Sequence, residues 1–116
     1  MRVILIFLSS VFLFGIAHAQ TDSLQHYKNK AEALFDDANY KKACNYYDKL
    51  AQAQPKEADI QFRLGYCYLQ SGQTVAKSVP YFEKAAQLFS RNNLQEESNT
   101  ALFYQAQAYH KSYQFD

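Results

Sequence analysis

Tryptophan is absent from this 116-residue sequence, and glycine, proline and cysteine occur only three, two and two times. Each scarcity excludes something. Gly15 lies in the leading apolar run, so two glycines and two prolines punctuate everything after it, too few for the tight turns of a many-stranded fold. Cys44 and Cys67 make no disulfide framework and no CxxC motif. They read as two small, half-buried apolar side chains with their thiols unpaired. His18, His26 and His110 are too few and too scattered for a metal site, and there is no glycine-rich phosphate loop. No metal, no cofactor and no catalytic constellation is expected; the chain reads as a non-enzyme. Charge of one sign is lacking too: 12 basic residues stand against 11 acidic ones, with no basic stripe. Nucleic acid and anionic membrane surfaces both require a basic excess, so neither is an expected partner. The acidic pairs Asp36-Asp37 and Glu96-Glu97 read as solvated helix ends.

The first stretch present in strength is "MRVILIFLSSVFLFGIAHAQ". One basic residue, Arg2, precedes an apolar run from Val3 to about Ala17, and Ala17-His18-Ala19 supplies the small-x-small pattern of a signal-peptidase site. The run is shorter than the roughly 20 residues of a spanning helix, and no basic stop-transfer cluster follows. A cleaved signal peptide over 1–19 is expected, leaving Gln20 at the mature N-terminus; an uncleaved anchor is the other reading. The first cysteine is Cys44, far from the cleavage point, which argues against a lipoprotein. The chain is therefore expected to be exported, to the periplasm or the periplasmic face of an outer membrane.

Residues 20–116 are dominated by helix formers, and apolar residues recur at helical spacing: Leu24, Tyr27, Ala31, Leu34 and Phe35, then Ala43, Tyr46, Tyr47 and Leu50. The fold class is all-α. Breaks at Asp37-Ala38-Asn39, at Pro55 and at Ser71-Gly72 divide the chain into short helices, with Asn39 placed to cap the second. Ala31 and Gly65 are 34 residues apart, as are Leu34 and Tyr68, a period that belongs to one class of helical repeat. Small residues (Ala31, Ala43, Gly65) fall where two helices would cross closely.

These residues resemble the tetratricopeptide repeat. Tyr27, Ala31, Leu34, Ala43, Tyr47, Leu50 and Pro55 match a first repeat over 24–57. Leu64-Gly65, Tyr68 and Gly72, then, after one inserted residue, Ser78, Phe82 and Ala85, match a second over 58–92. Lys30 stands where Leu is usual and Ser90 where Pro is usual. A linker over 93–98 precedes a partial third repeat over 99–116, in which Ala106 and Tyr109 take the Gly and Tyr positions and Phe115 the aromatic that opens a second helix. The resemblance implies a solenoid of about two and a half repeats after the signal peptide, cut in mid-repeat. Leu102, Ala106 and Tyr109 are expected to bury one side on the second repeat and leave the other bare, giving self-association through the open C-terminal end or fraying from about Tyr109 onward.

The segments "LGYCYLQSGQTVAKSVPYFEKAAQL" and "FYQAQAYHKSYQFD" are similar to the N-terminal repeat region of bacterial envelope proteins that continue with a β-propeller and an OmpA-like peptidoglycan-binding domain, some serving type IX secretion or gliding. That likeness implies a protein–protein interaction scaffold of the cell envelope, the N-terminal part of a larger peptidoglycan-associated protein, with a protein or peptide partner. A structural spacer with no ligand of its own is the alternative. Tyrosine and phenylalanine contribute 10 and 9 residues, and most are expected to fill a core that lacks tryptophan. In the tetratricopeptide family the first helix of each repeat lines the concave face. The residues this places there are Lys28, Glu32 and Phe35, then Phe62, Tyr66 and Leu69, then Phe103, Gln107 and His110. Aromatics on a wet face mark contact with another protein. A clamp for terminal carboxylates is not expected, because Glu32 stands where an Asn is required, with Lys28, Arg63, Thr100 and Tyr104 at the other places.

Overall fold

The computed structural model describes residues 22–72 and 75–113; the expected signal peptide and residues 114–116 lie outside them. Five helices follow one another: α1 (22–36), α2 (Tyr40–Ala53), α3 (Ala58–Ser71), α4 (Val75–Arg91) and α5 (Gln95–Tyr113). There is no strand among the described residues. α3 packs on α2 and on α4, and α4 packs on α5. Contacts run between near neighbours along the chain, the arrangement of a helical repeat.

The breaks expected from sequence form by backbone chemistry. α1 ends with Ala38 in the left-handed region at φ 59°, and the amide of Asn39 donates to the Leu34 carbonyl at 2.8 Å. α4 ends the same way, with Asn93 at φ 61° and the Leu94 amide donating to the Phe89 carbonyl at 2.9 Å. Both bonds span five residues and satisfy carbonyls that the helix end leaves orphaned. Gly72, at φ 76°, closes α3 where a side chain would be strained. Asn39 does precede α2, but its side chain makes no cap hydrogen bond; the expected side-chain cap is replaced by this backbone turn. The expected linker over 93–98 is also shorter than its composition implied. α5 begins at Gln95, because Glu96 and Glu97 in its first turn favour the positive end of the helix dipole.

One core lies among α1, α2 and α3, built on Ala31, Ala43, Tyr47, Leu50, Leu64 and Cys67. Beyond it, Leu69, Phe82 and Ala108 form a cluster among α3, α4 and α5, beside a second of Ala85, Ala86, Phe89 and Ala101. Gly65 sets the distance between α3 and α4. A Cβ placed on it would lie 3.1 Å from two ring carbons of the fully buried Phe82. α5 is held to α4 by Ala101 and Ala108 and by a buried hydrogen bond from Ser98 Oγ to the Ala86 carbonyl at 2.8 Å.

Here the register of α5 corrects the expectation. Leu102, Ala106 and Tyr109 are exposed, Leu102 bordering Glu83, Ala86 and Gln87 of α4, and Ser98, Ala101 and Ala108 take the buried side. Two stripes at helical spacing run along α5, and the one made of small residues permits the closer approach to α4. Leu69 is corrected too. It is 2 % exposed, in the core beside Phe82 and Ala108 rather than on a wet face.

The Gly65–Phe82 approach yields a prediction. Gly65→Leu forces α3 from α4 and should lower stability by about 1–3 kcal/mol through overpacking. Urea unfolding followed by circular dichroism measures it; an unchanged midpoint would show that the two helices need no close approach.

Candidate functional site

α1, α3 and α5 present a chain of aromatic rings. Phe35 of α1 lies 5.5 Å from Tyr66 of α3, and Tyr66 lies 5.5 Å from Tyr104 of α5. Phe62, one turn before Tyr66, lies 5.7 Å from Tyr104. Edge-to-face and tilted pairs at such separations suit the ring quadrupoles and hold the rings in place. Phe82 forms the floor, stacked beneath Tyr104 at 5.9 Å and edge-on to Phe62 at 5.6 Å. Phe35, Phe62, Tyr66 and Tyr104 are all half-buried, so each has one side in the core and one in solvent.

Arg63 anchors the α1 end. Its guanidinium sits 5.1 Å from the Phe35 ring centroid, its Nη1 donates to Tyr47 Oη at 3.2 Å, and its Nε lies 3.2 Å from Asp59 Oδ2. With all three faces engaged, it is committed to structure and is not free to grip an acidic ligand. At the α5 end the ladder opens into a cleft of about 290 Å³ lined by Asp59, Phe62, Phe89, Glu96, Glu97 and Thr100. Three carboxylates thus surround an aromatic floor, with Arg63 offsetting one of them. Such a cleft suits an apolar stem with a cationic tip: the stem lies on Phe62 and Phe89, and the charge meets Glu96 and Glu97.

Of the nine residues placed on the concave face by sequence, the structure joins Phe35, Phe62 and Tyr66 by ring contact. Phe103 extends the ladder past Tyr104 at 5.5 Å and is 59 % exposed. Lys28, Gln107 and His110 are exposed and Glu32 is half-buried, all away from the cleft lining, and Leu69 lies beneath the rings. Tyr104, Asp59, Phe89, Glu96, Glu97 and Thr100 were missed. The signal for Tyr104 and Thr100 was present, since both occupy the groove-facing places weighed for a carboxylate clamp. Glu96 and Glu97 were hidden by their assignment to a linker.

Cys44 and Cys67 are both buried thiols, facing each other across α2 and α3. The Cys44 sulfur beside it, together with burial, pushes the Cys67 thiol far above the ordinary range, so it stays protonated at neutral pH. The pair is apolar filling, more deeply buried than the sequence implied. Comparison with protein families and with curated proteins finds no match to this chain.

Two predictions follow from these environments. With both thiols buried, a thiol reagent should label none in the native protein faster than it unfolds, and two per chain in urea. Rapid labelling without denaturant would contradict this packing. Burial also raises the phenol pKa of Tyr47, Tyr66, Tyr68 and Tyr81. The unfolded chain releases these protons near pH 10, the folded chain only higher, so above about pH 10 the unfolded state binds fewer protons and stability falls as pH rises. Urea midpoints should start to decline near pH 8, where the Cys67 thiol of the unfolded chain ionises, and fall further above about pH 10, with phenolate absorbance at 295 nm rising together with unfolding. Full ionisation while the fold persists would refute it.

Proposed function

We propose that this chain is a non-enzymatic protein-binding scaffold of the bacterial cell envelope, a tetratricopeptide-type solenoid. Its aromatic groove, at the α3–α5 cleft, holds an extended peptide segment rich in apolar and basic residues. The observation that carries the reading is the half-exposed ladder Phe35–Tyr66–Phe62–Tyr104, ending in the acid-rimmed cleft. Rings fixed by their neighbours and left open on one side lose little entropy when a ligand covers them. The carboxylates of Glu96 and Glu97 choose the sign of the ligand's charge and speed its encounter at low salt.

The envelope assignment rests on the leader sequence and on the likeness to the repeat region of envelope proteins with propeller and OmpA-like domains. In that reading the segment is the N-terminal arm of a peptidoglycan-associated protein serving type IX secretion or gliding. A spacer with no ligand of its own is the competing reading, and the groove separates the two.

The test uses peptides of about ten residues alternating leucine with lysine or arginine, and glutamate-bearing counterparts, titrated by fluorescence anisotropy. Basic peptides should bind, more weakly as salt rises, and acidic ones should not. Thr100→Arg places a cation in the cleft on an exposed residue and should weaken binding at least tenfold with the fold intact. Equal binding of both peptide sets would overturn the choice of ligand by charge, and none by either would leave the spacer reading. Mass spectrometry of the exported protein should find Gln20 at its N-terminus; Met1 retained would remove the export premise.

A further inference from the structure

Cysteine occurs twice in the chain, and the fold brings both residues to one place. Cys44 of α2 is 8 % exposed and Cys67 of α3 is 0 %, in the core shared with Ala43, Tyr47, Leu50 and Leu64. Their side chains meet sulfur to sulfur between the two helices. Ala43 and Ala51, buried on the same side of α2, let α3 come close. Among the described residues no group of three or more His, Cys, Asp or Glu side chains is placed to hold a metal ion, so metal ligation does not account for the pair. The later helix joints have fastenings of their own: Phe82 lies on Gly65 between α3 and α4, and Ser98 Oγ donates to the Ala86 carbonyl between α4 and α5. Between α2 and α3, the hydrogen bond from Arg63 to Tyr47 lies one turn from the cysteines on both helices.

We propose that Cys44 and Cys67 form an intramolecular disulfide when the chain meets a disulfide oxidant, turning the α2–α3 contact into a covalent staple. The reduced, thiol-filled core is then one of two states of the same site. The bond closes a loop over the α2–α3 turn, with the two cysteines 23 residues apart. A cross-link of that span withdraws conformational freedom from the unfolded chain, while the folded chain already holds the sulfurs together. With two cysteines only one intramolecular pairing exists, so no misbridged form competes. A chain with little core to spare gains most from such a staple. The staple also bears on the groove, because Arg63 and Tyr47, one turn away, hold Phe35 at the end of the aromatic ladder.

Exchange begins in the opened chain, since both thiols are buried in the folded one and Cys67 stays protonated there. One cysteine thiolate attacks a sulfur of oxidised glutathione. A protein–glutathione bond forms, and one glutathione leaves with the electron pair and takes up a proton. The second cysteine thiolate attacks the protein sulfur of that mixed disulfide and expels the other glutathione, which is protonated in turn. Two protein thiols are oxidised, and one glutathione disulfide is reduced to two thiols. Folding favours the second step by bringing the sulfurs together, and by linkage the bond favours the fold.

The purified chain, starting fully reduced, is refolded in glutathione buffers of stepped oxidised-to-reduced ratio, quenched in acid and weighed by mass spectrometry. The expected product is a monomer lighter by two hydrogens, with no thiol titratable in urea. Its formation constant should be larger in native buffer than in concentrated urea by about tenfold or more, and its urea midpoint should exceed that of the reduced chain by about 1–2 M. Chains carrying two glutathiones, disulfide-linked dimers, or thiols that stay reduced through the oxidising range would overturn the proposal. So would a formation constant no larger in native buffer than in urea, or a midpoint no higher than that of the reduced chain. Either would mean that the native fold does not hold the sulfurs in bonding position. No groove ligand enters these measurements, so their outcome is separate from that of the peptide titrations.

Discussion

The approach of α3 to α4 at Gly65 governs the rest of the structure. Without a side chain there, the Phe82 ring lies against the α3 backbone and is wholly buried. That position makes Phe82 the floor on which Phe62 and Tyr104 rest. A larger residue at 65 would lift Phe82, and the groove would lose its base along with the core. Packing and function are therefore one problem at this crossing. Interiors at crystal-like density leave no spare volume in which a displaced ring can settle.

The two ends of the ladder are held by different forces. At α1 the guanidinium of Arg63 bridges Phe35, Tyr47 and Asp59, so a charged side chain serves the core and leaves no net attraction for anions. At α5 the carboxylates stand at a helix start, where the dipole stabilises them without neutralising them. The result is an aromatic surface with a polarity along its length, stapled at one end and acidic at the other. Specificity in such a groove comes from the end where charge is uncompensated, and affinity comes from the rings between.

The helices and their breaks were legible because local rules decide them. Helical spacing, the 34-residue offset of Ala31 and Gly65, and the polar breaks at 37–39 and 71–72 all act within a few residues of chain. Legibility failed where two local solutions were equally good. In α5 the stripes Ala101–Tyr104–Ala108 and Leu102–Ala106–Tyr109 both have helical spacing, and hydrophobicity favours the second. What decides is the surface of α4, which accepts alanines more closely than leucine or tyrosine. Leu69 shows the same limit from the other side. Its sequence position matches that of Phe35, but a leucine reaches only the floor of the groove, beneath Tyr66 and Tyr104, where Ala108 covers it. Side-chain length, which a repeat template ignores, separates a ring on the surface from a methyl group in the core.

That α5 is apolar on two sides also explains why the candidate groove and an exposed apolar strip coexist on one helix. Tyr104 faces the groove, Ala101 and Ala108 face α4, Leu102 borders α4 at the edge of that contact, and Ala106 and Tyr109 are exposed. A helix with one apolar stripe can serve only one neighbour. This one carries two stripes offset around its axis, so it can remain docked on α4 while presenting a second surface. Small residues line most of the docked side, and Tyr104, stacked on Phe82, is the large side chain that joins them there. The other large apolar side chains of α5 are thereby left exposed.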